Sequence, residues 1–226
     1  MSYPLGNRNI YNRKVSFLVL DFNKPDETHL CLSSIRSKAK IENYEIVLLS
    51  NGGKQDYVLE FYKSNLIDRL VLSKKNHGCG AGTNALFNLC DTEYCFYVQN
   101  DQYLTRDLSE KELDALIHQI ETKGYQSVDV SGGAGHVGKY SERAHFIKAK
   151  TINDNPRKGF GGPGPFEKNM FWSEEAAQIY FKENDFKIFN GWPLLFANNG
   201  KFTVRETEDG EVFRQNLSTG EKEIIQ

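Results

Sequence analysis

Four short apolar runs, each separated from the next by a stretch long enough for a helix, constrain this chain more than anything else in it. Val15-Ser-Phe-Leu-Val-Leu20 and Tyr44-Glu-Ile-Val-Leu-Leu49 are the first two, Ile67 to Leu72 the third and Tyr94 to Val98 the fourth. Near-continuous apolar runs of this length mark strands buried on both faces. The first intervening segment opens on Pro25 with Asp26 and Glu27 behind it, a helix start, and runs to about Lys38. Residues 55–65 read as a second helix, and a third runs from the glycine-rich stretch after Asn76 to about Cys90. A β-α-β-α-β-α-β order at this spacing predicts an α/β fold: a doubly wound, Rossmann-like, mostly parallel sheet with helices on both faces.

Beyond Asp101 the pattern changes. Ser109 to Thr122 is amphipathic, with Ser109 as N-cap and Glu112 three residues on, a capping box. Gln126 to Val130 reads as a fifth strand. Residues 131–170 are rich in Gly and Pro, and so long a loop-rich span inside a domain is usually functional or mobile. Trp172 to Asn184 reads as a helix and Phe186 to Phe189 as a short strand. The tail from Phe202 to Ile225 alternates and turns at Asp209-Gly210 and Thr219-Gly220, so it predicts β-hairpins.

A length of 226 residues suits a single domain, taken here as 1–226. With 28 basic against 30 acidic residues there is no basic footprint for nucleic acid. The four cysteines form no CxxC pair, and residues 1–14 carry no apolar leader. Both suggest reduced thiols and a cytoplasmic protein. No run approaches the ~18 apolar residues of a transmembrane helix, so membrane contact would be peripheral.

The strand Tyr94 to Val98 runs directly into Gln99-Asn100-Asp101. In open α/β sheets ligands sit outside the carboxyl ends of the strands. A carboxylate there beside two carboxamides suits a hard divalent cation holding a diphosphate; it equally suits a turn or helix cap. Gly78-Cys-Gly-Ala-Gly82 precedes a helix but has Thr83 where GxGxxG requires Gly, so it reads as a tight turn with close helix packing. Gly133 to Tyr140 approaches a P-loop but lacks the hydroxyl that would hold Mg²⁺. The five histidines are scattered and show no zinc spacing. Glu174 and Glu175 follow Phe171-Trp172 at a helix start. They are either first-turn acids favoured by the helix dipole or a carboxylate base in an aromatic pocket.

Taken in order, these stations resemble the family-2-type glycosyltransferases of GT-A fold, nearest to their rhamnosyltransferase-like members. The residues that carry the likeness are Val15 to Asn23, Glu45 to Gly53, the Asn76/Gly78/Asn84 triplet, Val98-Gln-Asn-Asp-Gln102, Gly161-Gly162, Glu174-Glu175 and Lys182 to Ile188. The likeness spans about residues 15–200. It implies a nucleotide-binding half over about 15–101, an acceptor half over about 102–200 and a hairpin extension over 201–226. It further implies that Asp21, Asn23, Ser50 and Asn51 line the base and ribose pocket, and that Asn76, Gly80 and Asn84 border the nucleotide. Gln99, Asn100 and Asp101 would meet the donor, with Asp101 the ligand of Mn²⁺ or Mg²⁺. Glu175 stands at the position of the general base, with Glu174 beside it.

The implied activity is inverting transfer of a sugar from a nucleotide-diphosphate donor to a hydroxyl of a glycan or polysaccharide, by metal-assisted single displacement. Three positions depart from the family pattern. Ser50 replaces the usual base-binding Asp, Gln99 and Asn100 leave one carboxylate in the metal motif, and Asn198-Asn199 stands where a late histidine is often found. These departures frame an alternative, a catalytically degenerate module that binds nucleotide sugar without turnover. A sugar nucleotidyltransferase shares the fold but would carry a glycine-rich loop after the first strand, where this chain has Asp21-Phe-Asn-Lys-Pro25.

Overall fold

Residue 21 ends an inner strand of a seven-stranded sheet, and the fold follows from how the chain leaves and returns to that strand. The computed structural model describes residues 14–132, 143–153, 173–200, 202–207 and 210–225; the side chains of 173–177, 202–203 and 205–206 are outside that description. β1 (Val15–Asp21) is followed by α1 (Pro25–Lys38), the two-residue β2 (Ala39–Lys40) and β3 (Tyr44–Ser50). Next come α2 (Asp56–Lys63), β4 (Arg69–Leu72), α3 (Cys79–Asn88) and β5 (Tyr94–Gln99). β1 pairs in parallel with β3 on one side, β3 with β4, and β5 returns to pair in parallel with β1 on its other side.

Alternate residues of these strands fall into two separate cores. Phe17, Val19, Ile46, Leu48, Phe96 and Val98 pack on one face with Leu32 and Ile35 of α1 and Val58 of α2. Leu18, Leu20, Val47, Leu49, Cys95 and Tyr97 pack on the other with Leu86 and Phe87 of α3. Burial of both pleat faces is why the runs read as near-continuous apolar sequence. It makes the sheet doubly wound, as its sequence predicts.

The remaining elements are β6 (Gln102–Leu104), β7 (Leu108–Ser109), α4 (Glu110–Lys123), β8 (Ser127–Asp129), β9 (His145–Lys148), α5 (Ala149–Asn153), α6 (Ser173–Glu183), β10 (Ile188–Phe189) and β11 (Phe196–Asn198). The large sheet runs β10-β8-β9-β5-β1-β3-β4. β9 is its antiparallel member, between β5 and β8. It falls inside the span expected as loop, so 143–153 is a strand and a short helix instead. Residues 133–142 and 154–172, with Gly161-Gly162 and the P-loop-like stretch, lie outside the described residues.

The tail forms a three-stranded antiparallel sheet of β12 (Phe202–Glu206), β13 (Val212–Asn216) and β14 (Lys222–Ile224). Its second turn falls at Thr219-Gly220 with Gly220 at φ +75°, and Gly210 at φ +83° serves the first. Among the described residues no helix is long and apolar enough to cross a membrane.

Candidate donor site

Because β3 and β4 step away from β1 on one side and β5 comes back on the other, the strand order reverses between β1 and β5. The crevice outside their carboxyl ends is the topological switch point, where open α/β sheets bind ligands. A cavity of about 290 Å³ lies there. Leu20, Phe22 and Lys24 line it from the end of β1, and Asn51 from the end of β3. Asn76 and Gly78 come from the loop before α3 and Cys79 from its start, Gln99 from the end of β5, Asn100 and Asp101 from the turn after it, and Val204 from β12 of the tail sheet.

The two strand ends are tied across the crevice at two depths. Asp21 is fully buried, and its carboxylate accepts hydrogen bonds from Thr28 Oγ1 (2.6 Å), Tyr57 OH (2.6 Å) and Asn100 Nδ2 (2.9 Å). Burial pushes its carboxyl up, against the pull of those donors. Asn100 Nδ2 also reaches Thr28 Oγ1 at 3.1 Å, so the first turn of α1, α2 and the end of β5 converge on one side chain of β1. At the cavity wall, Lys24 Nζ lies 2.9 Å from Asp101 Oδ2, with their side chains only 14% and 13% exposed. Asp101 Oδ1 is buried without a hydrogen-bond partner. The Asn198-to-Gly200 turn seats against the same residue: Asn199 N–H donates to Asp101 O at 2.7 Å. A Cβ on Gly200 would come within 2.9 Å of Asp101 Oδ2.

The third wall is built from amides. Asn51 Nδ2 donates to Gly78 O (2.9 Å) and Asn76 Oδ1 (3.1 Å), and Asn51 Oδ1 accepts from His77 N–H (3.2 Å). Asn76 Oδ1 in turn accepts from Gly78 N–H at 2.9 Å. Gly82 brings α3 against β1 so closely that a Cβ would meet Leu20 Cδ1 at 2.7 Å. The glycine-rich stretch therefore acts as a turn with close helix packing.

The model of glycosyl transferase family 2 matches residues 16–189. The chain belongs to this family. Its fold is GT-A, and solved structures share it. Staphylococcus aureus TarS 1-349 superposes with a TM-score of 0.60 at 12% identity, over 82% of this chain and 60% of that one. The same protein in complex with UDP-GlcNAc gives 0.57 at 14%, over 86% and 60%. Mannosyltransferase PcManGT from Pyrobaculum calidifontis, in complex with GDP-Man and Mn²⁺, gives 0.61 at 11%, over 84% and 58%. At such identities the likeness is one of fold. The family 2 chain described here spans less than two thirds of the length of each. No curated protein matches its sequence significantly.

Of the donor-site residues that the family resemblance suggests, Asn51, Asn76, Gln99, Asn100 and Asp101 line the cavity. Asp21, Asn23, Ser50, Gly80 and Asn84 are buried near it and are not among its lining residues. Asp21 is turned into the protein as described. Asn23, at φ +51°, accepts the Lys54 N–H on its Oδ1 and is packed by Gly53. Ser50 is the register partner of Asp21 at the end of β3. Gly80 and Asn84 lie within α3. Glu174 and Glu175 fall in the first turn of α6, and their side chains lie outside the described residues.

Among the cavity's described lining, the sequence reading did not name Leu20, Phe22, Lys24, Gly78, Cys79 or Val204 as site residues. For Lys24 a signal existed: it is the N-cap of α1, where its side chain caps nothing and a cation opposes the helix dipole. A lysine there needs a partner elsewhere.

Family membership implies a divalent cation at Asp101, and the residues around it bear on whether one fits. Among the described residues no three His, Cys, Asp or Glu side chains come together to hold a metal. The one acid of the motif has Oδ2 on an ammonium and Oδ1 closed off from solvent. A dication about 4 Å from that ammonium would meet a repulsion of about 8 kcal/mol at an effective dielectric of ~20. As the side chains stand, they do not fit the ion.

Proposed function

We propose that this chain is the single catalytic domain of an inverting glycosyltransferase. It would move a sugar from a nucleotide-diphosphate donor to a hydroxyl of a glycan or polysaccharide. The observation that carries the reading is the cavity at the β1/β5 switch point in a chain of family 2, large enough for part of a nucleotide and lined by Asn51, Asn76, Gln99 and Asn100 beside the apolar Leu20, Phe22 and Val204. The UDP-GlcNAc and GDP-Man held by the two neighbours of the same fold support a nucleotide sugar as donor.

In this reading Glu175, with Glu174 beside it, takes the proton of the acceptor hydroxyl. The hydroxyl oxygen attacks the anomeric carbon on the face opposite the diphosphate. The bond from that carbon to the phosphate oxygen breaks, and its electron pair leaves with the nucleoside diphosphate. One displacement through an oxocarbenium-like transition state inverts the anomeric centre. No step is assigned to Mn²⁺ or Mg²⁺, because the Asp101 carboxylate is already engaged. The thiols of Cys31, Cys79, Cys90 and Cys95, none in a disulfide, support a reducing compartment, the cytoplasm.

The test is a melting-temperature screen against nucleoside diphosphates and nucleotide sugars, followed by product analysis with the sugar that binds. A ligand specific to the native state raises the melting temperature by mass action. Glu175→Gln should keep that rise and lose at least about a hundredfold in turnover. No rise with any nucleotide would sink the donor site; a full rise with no transfer to any acceptor would favour the binding module.

A further inference from the structure

We infer that Lys24 is the cation of the donor site: held on Asp101, its ammonium grips the diphosphate, and binding and transfer proceed without a divalent metal. The inference rests on the donor-site reading above and specifies how that site meets phosphate charge.

Its first support is position. Lys24 follows β1 and Asp101 follows β5, so the pair spans the switch-point crevice where the two strands part. Both residues line the cavity. Local structure gives no reason for a lysine there, since it is the N-cap of α1 without a capping bond and its charge opposes the helix dipole.

The second is donor count. A lysine ammonium has three N–H donors, and among the described residues one goes to Asp101 Oδ2. Two are left, and the side chain is 14% exposed, at the cavity. Lysine binds phosphate as a point charge, without the planar fork of arginine, so a diphosphate oxygen can be met from several directions.

The third is the seat of the carboxylate. Gly200 closes on Asp101 Oδ2 with no room for a side chain, and Asn199 N–H holds the Asp101 carbonyl. The acid is therefore fixed where it orients the ammonium, with its other oxygen buried away from an incoming ion.

During transfer the electron pair of the breaking anomeric bond settles on the phosphate oxygen. Lys24 keeps its proton and stabilises that oxygen by a charge-assisted hydrogen bond, so no proton is passed to the leaving group and no metal ligand is exchanged there.

The experiment is calorimetric titration of the full chain with UDP and with GDP, each in EDTA and in Mn²⁺. The expected result is that at least one binds in EDTA with an affinity within about threefold of that in Mn²⁺. In EDTA, Lys24→Met should weaken that nucleotide about tenfold or more, the value of a lost charge-assisted hydrogen bond, and Lys24→Arg should restore most of it. Binding that appears only with Mn²⁺ keeps the donor site and overturns the role of Lys24. So does a folded Lys24→Met protein that binds as the wild type does. Binding in neither buffer removes the donor site and this inference together. The comparison of buffers uses the wild-type protein alone, so the test stands even where Lys24→Met fails to fold.

Discussion

The structure separates two aspartates that the sequence reading places in one site, and substituting Asp21 tests that separation. Three donors converge on its carboxylate: Thr28 Oγ1 and Asn100 Nδ2 on Oδ1, Tyr57 OH on Oδ2. Thr28 and Asn100 are buried, while Tyr57 is partly exposed. Asp21→Ala leaves the Thr28 O–H donor unpaired and reduces Asn100 Nδ2 to its 3.1 Å bond with Thr28 Oγ1, at about 1–3 kcal/mol each, plus a smaller loss at Tyr57, whose hydroxyl can turn to water. The sum is about 4 kcal/mol. Asp21→Asn behaves differently. Its amide oxygen can accept from Thr28 and Asn100, and its N–H can donate to the Tyr57 oxygen once that hydroxyl rotates. The lost charge is offset by relief of the burial that already raises the carboxyl pKa. Asp21→Asn should therefore lie within about 1 kcal/mol of wild type. Thermal unfolding reads the difference: at roughly 2–4 °C per kcal/mol for a domain of this size, Asp21→Ala should melt about 12 °C lower and Asp21→Asn within about 4 °C. The affinity of the folded Asn variant for nucleotide should match wild type, because Asp21 does not line the cavity. An Ala variant that melts with wild type would refute the buried-hub account. An Asn variant that folds normally but loses nucleotide binding would return Asp21 to the donor pocket.

Two further perturbations test parts of the same scaffold. Gly52 has φ +88°, and a Cβ there would lie 2.4 Å from Asn76 N, a backbone atom that cannot yield, whereas Gly124 at φ +72° has nothing within 4 Å. Gly52→Ala should cost about 3 kcal/mol or more and Gly124→Ala about 1 kcal/mol by urea denaturation; equal costs would contradict the close approach of the Asn76 loop. His145, buried beside Tyr97 and facing Asp129 across the β8–β9 pair, has its pKa lowered by burial to about 4. It stays neutral in the fold but protonates in the unfolded chain. Its contribution is thus complete above pH ~6.5 and shrinks by up to about 3 kcal/mol as pH falls to ~4. In His145→Phe the stability–pH curve should lack that segment, and a curve parallel to wild type would mean the imidazole is charged in the native state.

What could be read from the chain was whatever local chemistry determines. The apolar runs gave β1, β3 and β5 because both faces of each strand are buried, and composition alone reports that; β4, at the sheet edge, buries only Leu70 and was legible from its Leu-Val-Leu run. The capping box at α4 is half right: Ser109 Oγ does accept the Glu112 N–H at 3.3 Å. Glu112 itself is taken by Arg106 at 2.6 Å and by Trp192 Nε1 at 3.1 Å, partners that only the tertiary fold supplies. β9 was hidden for a similar reason. His145-Phe-Ile-Lys148 is a four-residue strand in a glycine-rich span, and its partners lie in β5 and β8, outside any local window. In the site, the residues at strand ends were legible, but which way each faces was not. Asp21 and Asp101 look alike in sequence, and only the positions of Thr28, Tyr57 and Lys24 decide that one is a hub and the other a wall.

That difference bears on how one acidic residue would serve the proposed phosphate site. Asn100 and Asp101 are adjacent, yet Asn100 reaches inward to Asp21 while Asp101 meets Lys24. The inner bond fixes the spacing of the β1 and β5 ends, and the outer pair uses that spacing to present an ammonium. An isolated carboxylate at the wall would repel a diphosphate, and an isolated lysine would be free to swing. Paired, they are neutral before the ligand arrives, which keeps the cost of holding two charges at 13–14% exposure low. When a diphosphate enters, the rest of the described lining includes the amides of Asn51, Asn76, Gln99 and Asn100, the Gly78 backbone and the apolar Leu20, Phe22 and Val204, groups that add no further charge. In the proposed donor site, Lys24, the one cation among the described lining residues, would then set the discrimination. Loss of Lys24 leaves Asp101 unpaired against the incoming phosphates, so its removal should harm binding more than removal of any single amide in the wall.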